Sequence, residues 1–264
     1  MTEISDLELL DLYRLSGVTE VIADAPADRF AQAQKNAETM PFGAALPPQH
    51  APVVPVYAAQ ASPAPQTVFA PVAAATLDEL KAALQNFEGC GLKKTARNLV
   101  FGTGKADRPD VMIVGEAPGE QEDLQGKPFV GASGRLLDLM LASIGLSREE
   151  SVYITNVVPW RPPVNRKPSE DEIAACLPFL RRHIALVSPK VLLLLGNISL
   201  SAVLNVTTGI TRARGIWHSY EQDGLFIPAM ASFHPAYLLR SPAQKKNAWH
   251  DLLCVRGKLD SLRE

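Results

Sequence analysis

Four short apolar runs dominate the chain beyond residue 110: Val111–Val114 (VMIV), Val152–Thr155 (VYIT), Val191–Leu195 (VLLLL) and Ile227–Ala231. An unbroken apolar run of four or five residues is what a strand buried on both faces looks like. Helical periodicity fills the gaps. Ser133 to Ile144 places Leu136, Leu137, Met140, Leu141 and Ile144 on one face. Ser169 caps a long helix through Ile173, Cys176, Leu177, Leu180 and Ile184, with Glu172 at the reciprocal capping position. Thr76 and Glu79 repeat that pattern before Leu77, Leu80, Leu84 and Phe87, and Ser241 or Pro242 opens a last helix. Strands alternating with helices require parallel pairing with helices on both sides. The expectation is an α/β fold, a three-layer α/β/α domain around a central four-stranded parallel sheet.

The first part of the chain has a different character. Of 26 Lys and Arg and 28 Asp and Glu, residues 1–77 hold only 3 and 8, and no charge occurs between Glu38 and Asp78. The overall −2 therefore splits into an acidic N-terminal part and a mildly basic remainder. The uncharged stretch carries Pro47, Pro48, Pro52, Pro55, Pro63, Pro65 and Pro71 among Ala, Val and Gln, a composition too poor in large apolar side chains to offset ordering entropy. Residues 39–76 are read as a linker, with Val53, Val54, Val56 and Tyr57 open to a second reading as a docking strand. Ahead of it, 1–38 form a helical segment (Asp6–Arg14, then Val18–Ala23) that docks on the domain, binds a protein partner or stays marginal alone. The domain itself is placed at 77–264.

No apolar run approaches the roughly 18 residues of a membrane span, and the acidic N-terminus has no secretory pattern. Three cysteines, an odd number, speak against a disulfide framework and for a reducing, cytoplasmic setting. A monomer is expected.

In parallel sheets, ligands sit at the carboxyl ends of the strands, and each strand here ends in an unusual run. The first continues into Gly115-Glu116-Ala117-Pro118-Gly119-Glu120, with Glu122, Asp123 and Phe129 close behind. The second ends on Asn156, followed by Arg161 to Lys167 (RPPVNRK). The fourth leads into His234-Pro235-Ala236-Tyr237-Leu238-Leu239-Arg240. Topology alone would bring Glu116, Asn156 and His234 to one sheet edge. Singly, each has an ordinary reading as a turn, a cap, a solvated loop residue or, for Phe129, core. Arg212, Arg214, Arg240, Lys245 and Lys246 form a candidate phosphate-contacting set, otherwise a solvated surface. No G-x-G-x-x-G follows the first strand, which argues against a dinucleotide enzyme.

The runs GEAPGEQEDLQGKPFVGASGRLLD, TNVVPWRPPVNRKPSEDEIAAC and HPAYLLR resemble those of the family 4 uracil-DNA glycosylases, in order and spacing, over about residues 87–255. The resemblance implies base excision from uracil-containing DNA, opening base-excision repair. It implies a pocket floor at Glu116, Ala117, Pro118 and Gly119, a stacking ring at Phe129 and a base-reading amide at Asn156. His234 would stand beside the uracil O2, and a DNA-entering loop would span Ala236 to Arg240, with Tyr237 or Leu238 as its wedge. The chemistry suits these types: an extruded base needs a replacement face and polar edge, and a donor at O2 stabilises the departing uracil anion. The water-orienting acid of the best-known uracil glycosylases corresponds to Ala117, so Glu116, Glu120 or Asp123 is left for that task, with Glu116 favoured. A glycosylase for another deaminated base and a catalytically lapsed DNA-binding or partner-recruiting module are the alternatives. A covalent DNA-trapping relative is disfavoured, because Arg161 to Lys167 contains no His.

The family also implies a [4Fe–4S] cluster on four cysteines. Here those positions hold Phe87, Cys90, Trp160 and Cys176, and Cys254 matches none of them. A cluster needs a full ligand set, so no cofactor is expected, and the two aromatic rings are expected to fill the vacated space.

Overall fold

The structure is a computed structural model and describes residues 72–222 and 224–262. The N-terminal helical segment and the linker before residue 72 lie outside the described residues. The chain runs through α1 (Leu77–Asn86), β1 (Thr103–Gly104), β2 (Val111–Gly115), α2 (Glu120–Gln125), α3 (Ala132–Ala142) and β3 (Val152–Asn156). It continues through α4 (Glu170–Val187), β4 (Val191–Leu195), α5 (Asn197–Leu204), α6 (Ile210–Ala213), β5 (Trp217–Gln222) and β6 (Leu225–Ser232). Two helices close it, α7 (Pro235–Arg240) and α8 (Lys245–Ser261), with a single 3-10 turn at Pro242–Gln244 between them.

The sheet order is β1-β3-β2-β4-β6-β5. The inner four strands, β3, β2, β4 and β6, pair in parallel as expected. The correction is at the edges: β1 and β5 add antiparallel strands, giving a mixed six-stranded sheet. Neither had the signature of a buried strand. β1 is two residues long, and in β5 (WHSYEQ) only Tyr220 is buried.

Alternate side chains of each central strand enter different layers. Met112, Val114, Leu192 and Leu194 pack with Leu80 and Leu84 of α1 and with Leu180 and Ile184 of α4. Val111, Ile113, Leu193 and Leu195 pack with Leu137 and Leu141 of α3 and with Leu252, Val255 and Leu259 of α8. Full burial of a Leu, Ile or Val contributes about 1.5–3 kcal/mol, so these two interfaces fix the three layers. Ser169 Oγ accepts from the Glu172 N–H at 3.3 Å while Glu172 Oε2 accepts from the Ser169 N–H at 2.8 Å, the reciprocal cap expected at the start of α4. Residues 72–74, placed above in the linker, belong to the packed unit: Ala74 is buried, and its carbonyl accepts from Arg182 Nε at 2.5 Å. No described helix is long and apolar enough to cross a membrane.

Candidate active site

The parallel register sets Gly115, the last residue of β2, beside Asn156, the last residue of β3. Asn156 is buried, and its side-chain carbonyl Oδ1 has no hydrogen-bond partner. An unsatisfied buried acceptor costs about 1–3 kcal/mol and marks a place where a donor is missing. A Cβ on Gly115 would fall 2.4 Å from Asn156 Oδ1 and 2.6 Å from Phe129 Cε2. The amide, the aromatic ring and the bare backbone of Gly115 therefore meet in one narrow slot.

Phe129 is buried and has a positive φ of 53°, a left-handed conformation that a bulky residue keeps only when its surroundings impose it. Glu122 supplies one constraint: its Oε1 accepts from the Val130 and Gly131 N–H groups at 2.8 and 2.9 Å. Gly134 supplies another, since a Cβ there would lie 1.9 Å from the Phe129 carbonyl oxygen. These contacts put Phe129 in a fixed pose with its ring stacked on His234, centroids 5.3 Å apart at 28°.

His234 caps the start of α7, and its Nδ1 accepts from the Ala236 N–H at 3.2 Å. A ring nitrogen that accepts carries no proton, so the neutral ring bears its hydrogen on Nε2. Burial pushes the imidazole down to about 4, the Arg240 cation pushes the same way, and the Glu122 carboxylate opposes. At neutral pH the ring is an uncharged Nε2–H donor on the cleft wall.

A cleft of about 440 Å³ opens over these groups, within the range of small-ligand sites. Glu116, Ala117, Pro118, Gly119, Phe129, Asn156, His234, Ala236, Tyr237 and Arg240 all line it, so residues from three strand ends do converge. Leu238 does not. It lies in the core with Phe233 and Ala248, because the expected loop is the helix α7 and Leu238 is on its inner face. The exposed side chains of α7 include Tyr237, Leu239 and Arg240.

The candidate acids sort by environment. Asp123 is committed to structure, its Oδ1 accepting from the Arg97 and Asn98 N–H groups at 2.8 and 3.1 Å. Glu120 is exposed and outside the cleft lining. Glu116 lines the cleft; burial raises its pKa and the Lys167 cation partly offsets that. Among the proposed phosphate contacts, Arg214 is committed elsewhere. It pairs with the buried Asp251 at 2.5 Å and lies over the Phe233 ring.

Sequence reasoning gave no site role to several residues that line the cleft: Glu122, Ser133, Pro162, Asn165, Arg166 and Lys167. For the last four a signal existed, since a cation-rich Pro-Pro run directly follows the strand that ends in Asn156. Glu122 had none, because nothing in the spacing shows that a helix carboxylate will bind a loop nine residues away.

The positions aligned with cluster ligands do not fit a four-thiolate group. Cys90 and Cys176 are buried, and their mutual contact pulls the Cys90 thiol below the usual range while that contact and burial push Cys176 above it. Trp160 is buried in the same core, and Phe87 packs on Phe179 with centroids 4.8 Å apart. Among the described residues no group of three or more His, Cys, Asp or Glu stands ready for a metal ion.

The fold is a three-layer α/β/α domain that gathers an aromatic ring and an amide with an unpartnered carbonyl oxygen at the carboxyl edge of its sheet. The family model described as the uracil DNA glycosylase superfamily matches residues 101–253. The type-4 uracil-DNA glycosylase of Archaeoglobus fulgidus is 41% identical over 171 residues, 63% of this chain and 85% of the relative. That of Thermotoga maritima is 42% identical over 153 residues, 58% of this chain and 77% of the relative. A type-5 enzyme of Pyrobaculum aerophilum is 32% identical over 142 residues, 48% of this chain and 62% of the relative. The chain belongs to the uracil-DNA glycosylase superfamily, and within it to the type-4 family.

Proposed function

We propose that this protein hydrolyses the N-glycosidic bond of deoxyuridine in DNA and so begins base-excision repair. The observation that carries the reading is the buried, unpartnered Oδ1 of Asn156 beside the Phe129 ring. Uracil offers an N3–H donor to that acceptor, whereas cytosine presents a lone pair there. Extruding the nucleotide costs a few kcal/mol, which stacking on Phe129 and the amide contact offset. As the C1′–N1 bond breaks, negative charge grows on the uracil O2. The neutral His234 Nε2–H donates to it without a proton having to be gained first, and positive charge on the sugar is met by water. Glu116, the carboxylate on the cleft wall, orients that water toward C1′.

On the DNA, Tyr237 is the wedge at the cleft rim, and Lys167 and Arg240 contact phosphate. The enzyme works without an iron–sulfur cluster, since Phe87 and Trp160 stand at two of the four ligand positions and offer iron no ligand. Its three free thiols suit a reducing cytoplasm, and it acts as a monomer.

Uracil release from single- and double-stranded oligonucleotides by the wild type, His234→Ala and Asn156→Asp tests this reading. His234→Ala should lose about 100-fold or more of the excision rate, as removal of an oxyanion donor does elsewhere, and Asn156→Asp should lose activity because a carboxylate keeps no N–H to offer the uracil edge. Full activity in His234→Ala would remove that residue from the mechanism.

A further inference from the structure

We propose that Arg148 is a positioning residue for the base-stacking ring, a role that rests on the glycosylase reading and deepens it. Arg148 lies in the turn between α3 and β3, its side chain largely buried. Its guanidinium makes three donations: Nη1 to the Pro128 carbonyl at 2.9 Å, Nη2 to the Phe129 carbonyl at 2.5 Å, and Nε to Asp138 Oδ1 on α3 at 2.5 Å.

The two carbonyls make the contact informative. In an extended chain, consecutive carbonyls point to opposite sides. A residue in a helical region of either hand turns its own carbonyl and the preceding one the same way. Phe129, at φ 53°, is in the left-handed region, so one planar fork reaches both oxygens. The Arg148 grip exists only while Phe129 keeps that conformation, and that conformation carries the ring into the slot against Gly115 and Asn156. Asp138 anchors the guanidinium from the helix that Gly134 allows to approach the Phe129 carbonyl. Glu122 holds the N–H groups that follow Phe129, and Arg148 holds the carbonyls at and before it. The ring is thereby set in place before any base arrives. An ammonium is a point charge and cannot span three acceptors in one plane, so lysine is the diagnostic replacement.

The test is a double-mutant cycle on kcat/KM for uracil release from a single-stranded deoxyuridine oligonucleotide. It uses the wild type, Arg148→Lys, Phe129→Ala and the double variant, with melting temperatures recorded for each. Arg148→Ala is added, and the lysine variant carries the test if the alanine variant does not fold. We expect Arg148→Lys alone to lower kcat/KM by about tenfold to a hundredfold, the scale of an ångström-level misplacement. We expect the same substitution to cost no more than about twofold when Phe129 is already alanine, because its effect passes through the ring. A residue that merely stabilises the domain would lower activity equally in both backgrounds, and that additivity overturns the proposal. Wild-type kcat/KM in Arg148→Lys, or no effect of Phe129→Ala, also overturns it. A wild type inactive on deoxyuridine removes the glycosylase reading and this role together, whereas additivity with an active wild type removes this role alone.

Discussion

Gly115→Ala should damage the site by pressing on the amide and the ring at once. The new Cβ would sit 2.4 Å from Asn156 Oδ1 and 2.6 and 2.7 Å from Phe129 Cε2 and Cζ. Carbon atoms in ordinary contact are about 3.5–4.0 Å apart, so ring and amide must each retreat by about 1 Å. Neither has free travel: Phe129 is pinned by its carbonyl and by the Glu122 contacts to the next two residues, and Asn156 is fixed by strand pairing. Overpacking of this kind costs about 1–3 kcal/mol. At about 2–4 °C per kcal/mol for a domain of this size, the melting temperature should fall by about 2–12 °C. The excision rate should fall further, by about 100-fold, because a 1 Å error at the reacting centre costs that much. The assay is single-turnover uracil release alongside thermal melts, with Gly91→Ala as control. A Cβ at Gly91 meets nothing within 4 Å, and that variant should stay within about 0.5 kcal/mol of wild type. Wild-type excision and an unchanged melting temperature in Gly115→Ala would refute the close approach of Gly115, Asn156 and Phe129.

Stability should fall as pH drops from about 6.5 toward 4, because His234 and His183 are pushed down to about 4 and about 3 by burial and the unfolded chain binds more protons in that window. Denaturant midpoints at pH 5 and pH 7 check this, and equal midpoints would contradict it. The excision rate should show no inflection near pH 6.5, since neutral His234 is the working form; an inflection there that vanishes in His234→Gln would oppose this. Val164 has φ 55° and is 94% exposed, so Val164→Gly relieves strain with little lost packing and should raise stability by about 1 kcal/mol, read as a higher melting temperature. Anaerobically purified protein should contain no stoichiometric iron or acid-labile sulfide; finding both would show that two thiols and other ligands hold a cluster after all.

What the sequence revealed divides along physical lines. The four central strands were legible because double-sided burial demands continuous apolar runs, and α3 and α4 because they bury one face. The edge strands were not, since a half-exposed strand such as β5 needs only one buried side chain. The short helix α2 was also hidden: its buried residues are Glu122 and Asp123, which bind backbone rather than pack on a core. The site followed the same division. Glu116, Asn156 and His234 were readable because they stand at or just after strand ends. The burial of Leu238 was not, because it depends on the turn Pro235–Arg240 being helical rather than open. Arg214 looked like a phosphate contact until its partner Asp251, 37 positions later, appeared beside it.

The most direct test of the whole account compares excision from matched oligonucleotides carrying deoxyuridine, deoxycytidine or thymidine at one position. Uracil alone should be released, with the Asn156 acceptor excluding cytosine. No release from deoxyuridine in either single- or double-stranded DNA would contradict it, as would excision of cytosine at a comparable rate.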